Sequence, residues 1–246
     1  MSGATGPEFV EGTKYKYLPP AGQQMGVWPP GLEAKLAIKG ARVKLPSHKG
    51  ISNAVRECID GRRSVREYAA ERLTAEELSY LLWCTQGVKS REGGLHTMRT
   101  VPSAGARHAL ETFVLANRVE RLERHVYRFR ALEHELEEYV VEEGVAERVM
   151  NACFGQEMVG EAAAVFVWAA DSERMTWRYS QRGYRYIFLD AGHVCQNLYL
   201  AAEAIRCGCC AIAAFDDDAM NEILGLDGKK QFVIYLGAVG KKKGGF

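Results

Sequence analysis

The sequence predicts an α+β domain in which a mixed β-sheet of about four or five strands is flanked by helices. Three segments carry that expectation. Residues 162–170 are an unbroken apolar run of nine, which suits a buried strand and is far below the roughly 20 residues a membrane-crossing helix needs. Thr74 and Glu77 form a capping-box pair ahead of Leu78, Leu81 and Leu82, the signature of a helix start. Between 184 and 206, Ile187, Ala191, Val194, Leu198, Ala201 and Ile205 advance by alternating steps of four and three, the spacing of a helix with one face in the core.

In chain order, residues 1–50 hold six of the seven prolines (Pro7, Pro19, Pro20, Pro29, Pro30 and Pro46). Proline removes a backbone donor and fixes φ, so an extended arm is expected there. Trp28, Leu32, Leu36 and Leu45 give that arm apolar surface for wrapping. The globular domain, 51–246, opens with Ile51, Val55 and Ile59 at helical spacing, with Ser52 as cap and Gly61 as stop. The helix capped by Thr74 ends at Gly87. Residues 88–108 contain Gly93, Gly94, Pro102 and Gly105 with little periodicity and read as one long loop. Strands follow at 112–117 and 125–129, helices at 133–141 and 146–153, and the apolar strand at 163–169. Gly208 stops the long helix, a short helix runs from Asp217 or Asp218 to Gly225, and 231–239 is the final strand.

Charge is nearly balanced, with 32 Lys plus Arg against 31 Asp plus Glu. No whole-molecule field therefore argues for nucleic acid or a membrane as partner. Seven Cys, an odd number, are scattered through a chain large enough to fold without staples, and the first residues lack a secretory pattern. Reduced thiols in a cytoplasmic protein are expected.

Candidate chemistry starts at Arg62, Arg63, Ser64 and Arg66, three guanidiniums and a hydroxyl within five residues. A phosphate monoester carries about two negative charges and three acceptor oxygens, which such a group satisfies. Taken alone, the segment is equally a basic surface turn paired with Glu67 or Glu71. Further on, Pro102, Ser103, Ala104 and Gly105 form a loop of small residues. Backbone there can approach a flat ring, and Ser103 can bond a polar ring edge. An ordinary turn explains that loop nearly as well.

Considered together, Arg-Arg-Ser-Val-Arg-Glu-Tyr at 62–68 and Pro-Ser-Ala-Gly-Ala at 102–106 resemble the nitroreductase superfamily of flavin mononucleotide (FMN) enzymes. Asp-Ala-Gly-His-Val-Cys-Gln-Asn-Leu at 190–198, Phe-Asp-Asp at 215–217 and Ile-Leu-Gly-Leu at 223–226 extend the likeness over residues 45–240. With Leu45 and Pro46, the match is closest to the branch that oxidises azolines to thiazoles and oxazoles in modified peptides. The resemblance implies a homodimer with two FMN sites at its interface, passing hydride from NAD(P)H through flavin N5 to a small acceptor. It places phosphate and ribityl contacts on Arg62, Arg63 and Ser64, and a cation beside flavin N1 and O2 on Arg66. Such a cation favours the anionic reduced flavin. Ring-edge contacts fall on Pro102, Ser103, Ala104 and Gly105, often supplied across the dimer. Gln196 joins the cofactor set, as do Ala213 and Ala214 in a loop near N5 where relatives often carry Pro or Gly. Lys241 or Lys243 completes the phosphate site. Because the cofactor carries the chemistry, no catalytic residue is assigned.

Two rivals remain. In an azoline dehydrogenase acting with a cyclising partner, the branch's Lys-Tyr pair would fall on Arg178 and Tyr179, followed by Arg182. Arginine stays protonated and cannot be a general base. Tyr179 reads more simply as one core aromatic among Trp177, Tyr184 and Tyr186. In the second rival, the loop changes at Ala211 to Ala214 leave a flavin-binding scaffold without turnover. Beyond these, the basic segment could hold another phosphate ligand or none. Cys207, Cys209 and Cys210 lack a complementary ligand set, so no metal is expected. His193 reads as a core histidine, His96 and His108 flank the ring loop, and Lys241, Lys242 and Lys243 read as a solvated charge run.

Overall fold

The computed structural model describes residues 5–20, 24–26, 54–92 and 96–244. The expectations that rest on Trp28, Leu32, Leu36, Leu45, Pro46 and Ser52 lie outside them. Among the described residues are eight α-helices: α1 (Thr5–Gly12), α2 (Ala54–Gly61), α3 (Ala75–Gln86), α4 (Val145–Ala152), α5 (Glu157–Glu161), α6 (Ser172–Tyr179), α7 (Gly183–Ala204) and α8 (Asp217–Ile223). Strands β1 (Val88–Glu92) and β2 (His96–Arg99) make an antiparallel hairpin. The main sheet comprises β3 (Leu110–Ala116), β4 (Val126–Arg130), β5 (Glu135–Val140), β6 (Ala164–Asp171), β7 (Cys207–Ile212) and β8 (Gln231–Lys241), in the order β5-β4-β3-β6-β8-β7.

Every ladder in the main sheet is antiparallel, and parallel pairing enters only through isolated bridges at Ser64–Cys209 and Leu73–Val119. The α+β class stands, with six strands where four or five were expected. Helices α3, α6 and α7 cover one face, and α4, α5 and α8 cover the other. Between them β6 is buried along its length except at Asp171, which is why residues 162–170 read as continuous apolar sequence. Among the described residues, no helix is long and apolar enough to cross a membrane.

Several expectations change. Where a helix was expected at 133–141, Glu135–Val140 form strand β5, because cross-strand pairing overrides the helical propensity of its glutamates. Arg130 lies opposite Glu135 and reaches Glu137 at 3.8 Å, while His125 reaches Glu138 at 3.7 Å. A glutamate-rich strand also suits a sheet edge, where charge discourages pairing with other chains. The long loop at 88–108 contains the β1–β2 hairpin, whose largely exposed residues need no apolar alternation. Helix α1 forms despite Pro7, which sits in the first turn where no backbone donor is needed. It packs onto the domain: Gly6 N donates to Gln181 Oε1 at 3.1 Å, Phe9 meets Phe188 edge-on, and Lys14 pairs with Asp218 at 2.6 Å. Finally, α7 ends at Ala204, Arg206 adopts φ +58°, and Gly208 lies within β7.

The capping box forms as expected, with Glu77 N donating to Thr74 Oγ1 at 3.1 Å and Thr74 N donating to Glu77 Oε2 at 2.9 Å. Glu77 Oε1 also takes the Lys241 ammonium, tying α3 to the end of β8. Thr74→Ala is expected to cost about 1 kcal/mol. Glu77→Ala, which breaks cap and ion pair together, should cost more in the same urea melt.

Candidate functional site

The basic segment leaves α2 and runs beside the edge strand β7. Val65 N donates to Cys209 O at 3.0 Å, and Ala69 N donates to Lys241 O at 2.9 Å. This approach requires Gly208, where a Cβ would stand 2.6 Å from Val65 Cγ1. Tyr68 is buried beneath the segment, its hydroxyl 2.7 Å from Val65 O and 3.1 Å from Ala238 O. The backbone of 62–69 is thereby fixed, with Arg63, Ser64 and Arg66 exposed and Arg62 half-buried.

Tyr199 of α7 joins this segment to the end of β7. Its hydroxyl lies 3.0 Å from Ser64 Oγ and accepts from Ala211 N at 2.8 Å, and the Arg62 guanidinium stands 5.4 Å from its ring centroid. Burial holds the Tyr199 phenol above its ordinary range, so it stays protonated at neutral pH. The ion pairs that would make 62–66 an ordinary basic turn are not there. Glu67 pairs with Lys243 at 3.5 Å, and no carboxylate among the described residues pairs with Arg62, Arg63 or Arg66. Three guanidiniums without a counter-charge, beside a hydroxyl, suit an anion with several acceptor oxygens.

The other expected residues fall in different relations to this cluster. Ala213 and Ala214 follow Ile212, the last ladder residue of β7, so their amides lie outside the sheet pairing. Gln196 is exposed on α7, one turn before Tyr199. Lys241, Lys242 and Lys243 are not a free charge run, since they pair with Glu77, Glu203 and Glu67. A phosphate contact by Lys241 would need its bond to Glu77 to open. His193 is exposed on α7 and not in the core, and of the expected core aromatics only Tyr184 is buried. Trp177 is 74% exposed beneath Arg107. Cys207 and Cys209 face one side of the sheet and Cys210 the other.

The loop at 102–106 is held from behind by Asp190, which is 5% exposed. Ser103 Oγ donates to Asp190 Oδ2 at 2.5 Å, Ala104 N donates to Oδ1 at 3.3 Å, and Ser103 Oγ accepts from His108 N at 2.9 Å. The Ser103 hydroxyl therefore fixes its own loop. Gly105, Ala106 and His108 have φ values of +56°, +54° and +44°, a strained run of the kind found at functional loops. A Cβ on Gly105 would stand 2.5 Å from the Tyr179 hydroxyl, so the loop packs tightly against Arg178 and Tyr179.

Within one chain the two parts of the site do not meet. Asp190 and Tyr199 are nine residues apart on α7, which is about 13.5 Å along the axis and half a revolution around it. An exposed stripe of Arg185, Phe188, Leu189, Gly192, His193 and Gln196 runs along the outer side of α7, with Leu189 55% exposed. Sequence reasoning assigned no role to Tyr199 or to Asp190 individually, although Tyr199 lies at helical spacing from Gln196.

An α+β sheet with a long helix across one face, a basic segment on its edge strand and a small-residue loop behind that helix defines the class. The nitroreductase family model matches residues 59–241. A Methanocaldococcus jannaschii protein whose name places it among nitroreductases is 35% identical over 200 residues, 81% of this chain and 96% of that protein. A nitroreductase-named structure from Anabaena variabilis is 32% identical with TM-score 0.65, covering 77% of this chain and 38% of that one. This chain thus spans well under half of the Anabaena chain. Two structures below 25% identity share the fold. One belongs to the E. coli microcin synthetase McbBCD complex (19%, TM-score 0.67, 98% of this chain and 90% of that one). The other is the NADPH:FMN oxidoreductase of Vibrio harveyi complexed with NAD+ (17%, TM-score 0.57, 78% of this chain and 70% of that one). The chain belongs to the nitroreductase family of oxidoreductases.

Proposed function

We propose that two copies of this chain hold FMN between them and move hydride from NADH or NADPH to a small acceptor. The observation that carries this reading is the trio Arg62, Arg63 and Arg66, uncompensated beside Ser64. In this reading Tyr199 accepts from Ala211 N and donates to Ser64 Oγ, leaving the Ser64 proton for a phosphate oxygen. Arg62 and Arg63 neutralise the phosphate, and Arg66 sets a positive charge beside the ring. The loop 102–105, prepositioned by Asp190, closes the ring edge of the partner's site, because it lies on the wrong side of α7 to close its own. Bound FMN supplies the hydride chemistry, and the chain supplies binding, orientation and charge.

A second reading, an azoline dehydrogenase working within a synthetase, is favoured by one observation. The fold match to the microcin synthetase complex covers 98% of this chain, against 78% for the Vibrio oxidoreductase. Arg178 in place of a titratable lysine speaks against it. Anaerobic addition of NADPH or NADH to the FMN-loaded protein separates the readings. The main reading expects the flavin colour to bleach within seconds and return with an electron acceptor. Bound flavin that neither nucleotide bleaches would overturn it.

A further inference from the structure

A cavity of about 730 Å³ opens between the β1–β2 hairpin, the start of β3, β4 and α6, and shares Ala106, Arg107 and His108 with the loop region. Its lining carries Arg91, Arg99, Arg107, Arg128, Arg130 and Arg174 against only Glu111 and Glu133. Each carboxylate is shared by two guanidiniums. Glu111 holds Arg128 at 3.1 Å and Arg174 at 2.5 Å, and Glu133 holds Arg91 at 3.8 Å and Arg130 at 3.5 Å; from outside the lining, Asp171 reaches Arg174 at 3.3 Å and Glu137 reaches Arg130 at 3.8 Å.

Among the described residues neither Arg99 nor Arg107 makes an ion pair, although the charge of Glu111 acts on Arg99 from a distance. Arg99 donates to Gln86 Oε1 at 2.9 Å and Thr97 Oγ1 at 3.3 Å, and Arg107 donates to the Arg174 carbonyl at 3.1 Å. Half-buried cations hydrogen-bonded only to neutral partners are costly, because their desolvation is repaid only in part. Burial lowers Arg99 to about 10, and burial with the Arg99 charge pushes His108 down to about 4. The His108 imidazole is therefore neutral at pH 7. Its Nε2, 3.0 Å from the Thr97 carbonyl, must be the protonated nitrogen.

Thr112 is 2% exposed, and its Oγ1 has no hydrogen-bond partner. Nor has Nε1 of Trp168, the residue paired with Thr112 across β3 and β6. Both atoms are shut off from the cavity by the side chains around them, so the anion site rests on its guanidiniums.

We propose that this cavity binds a small anion with two or more negative charges on phosphoryl or carboxylate oxygens. Its volume falls in the range of small-molecule sites. Planar guanidiniums facing one space match oxyanions in pairs. The proposal is independent of flavin binding, since the cavity lining includes none of Arg62, Arg63, Ser64, Arg66 or Tyr199.

Calorimetric titration of pyrophosphate and of citrate into the FMN-loaded full chain, at fixed ionic strength, tests it. The expected result is saturable binding that weakens with added chloride. Tighter binding of pyrophosphate would assign a phosphoryl ligand, and tighter binding of citrate a carboxylate one. Arg99→Gln and Arg107→Gln are each expected to weaken that binding about tenfold, the loss of a charge-assisted hydrogen bond, with flavin content as in wild type. The same titration on FMN-free protein should give the wild-type affinity, which keeps this proposal separate from the flavin reading. Absence of saturable binding by either anion, or two variants that bind as wild type does, would overturn it.

Discussion

For the proposed FMN-binding dimer, replacing Leu189 by glutamate is expected to give folded monomers with an empty flavin site. Leu189 is 55% exposed on the outer side of α7, the helix that carries both Asp190 behind the loop at 102–105 and Tyr199 beside the basic segment. Gly192, on the same stripe, has open space beside it, so a second helix can approach closely there. Leaving a carboxylate buried and unpaired in such an interface costs about 3 kcal/mol or more. A two-fold interface contains the change twice, so association weakens by roughly 10⁴-fold. Because Leu189 contributes little to the monomer's own core, the urea midpoint of the separated chain should stay close to that of wild-type monomer. Sedimentation equilibrium with flavin absorbance reads both quantities at once. A variant that remains dimeric, or a monomer that keeps FMN, would show that the stripe does not assemble the site.

Arg62→Ala and Arg66→Ala are expected to fail in different ways. Arg62 stands over Tyr199 beside Ser64, in the position of a phosphate ligand. Losing one charge-assisted contact should weaken FMN binding roughly 10- to 100-fold. Arg66 lies four residues after Arg62, where its charge lowers the Cys210 thiol against the larger effect of burial. Its loss should leave more FMN bound than the loss of Arg62. It should also lower the flavin reduction potential and slow reduction about tenfold, because the negative charge of the reduced ring loses its fixed cation. Equal losses of FMN with no change in potential would count against this division of roles.

How much of this was legible in the sequence follows from which interactions are local. The capping box of α3, the stripe of α7, the apolar run of β6 and the short helix α8 are set by residues within a few positions of one another. The motifs at 62–66 and 102–105 were visible for the same reason. Strand β5 was misread because its glutamates favour a helix until β4 is beside it. The β1–β2 hairpin left no periodic trace because most of it faces solvent. Tyr199 and Asp190 were passed over because each acts on a partner far away in sequence, 135 residues for Ser64 and 87 for Ser103. The arginine cavity is assembled from separate strands, loops and a helix, so no stretch of sequence announces it.

The central claim is that the Arg62 to Arg66 segment on β7 grips the phosphate end of FMN. Fluorescence titration of FMN into flavin-free wild type and Arg62→Ala protein, repeated with riboflavin, tests it most directly. The account predicts saturable binding at about one FMN per chain, much weaker binding of riboflavin to wild type, and an Arg62→Ala variant that no longer tells the two apart. Wild-type protein that takes up no FMN, or that binds riboflavin as tightly as FMN, would contradict it.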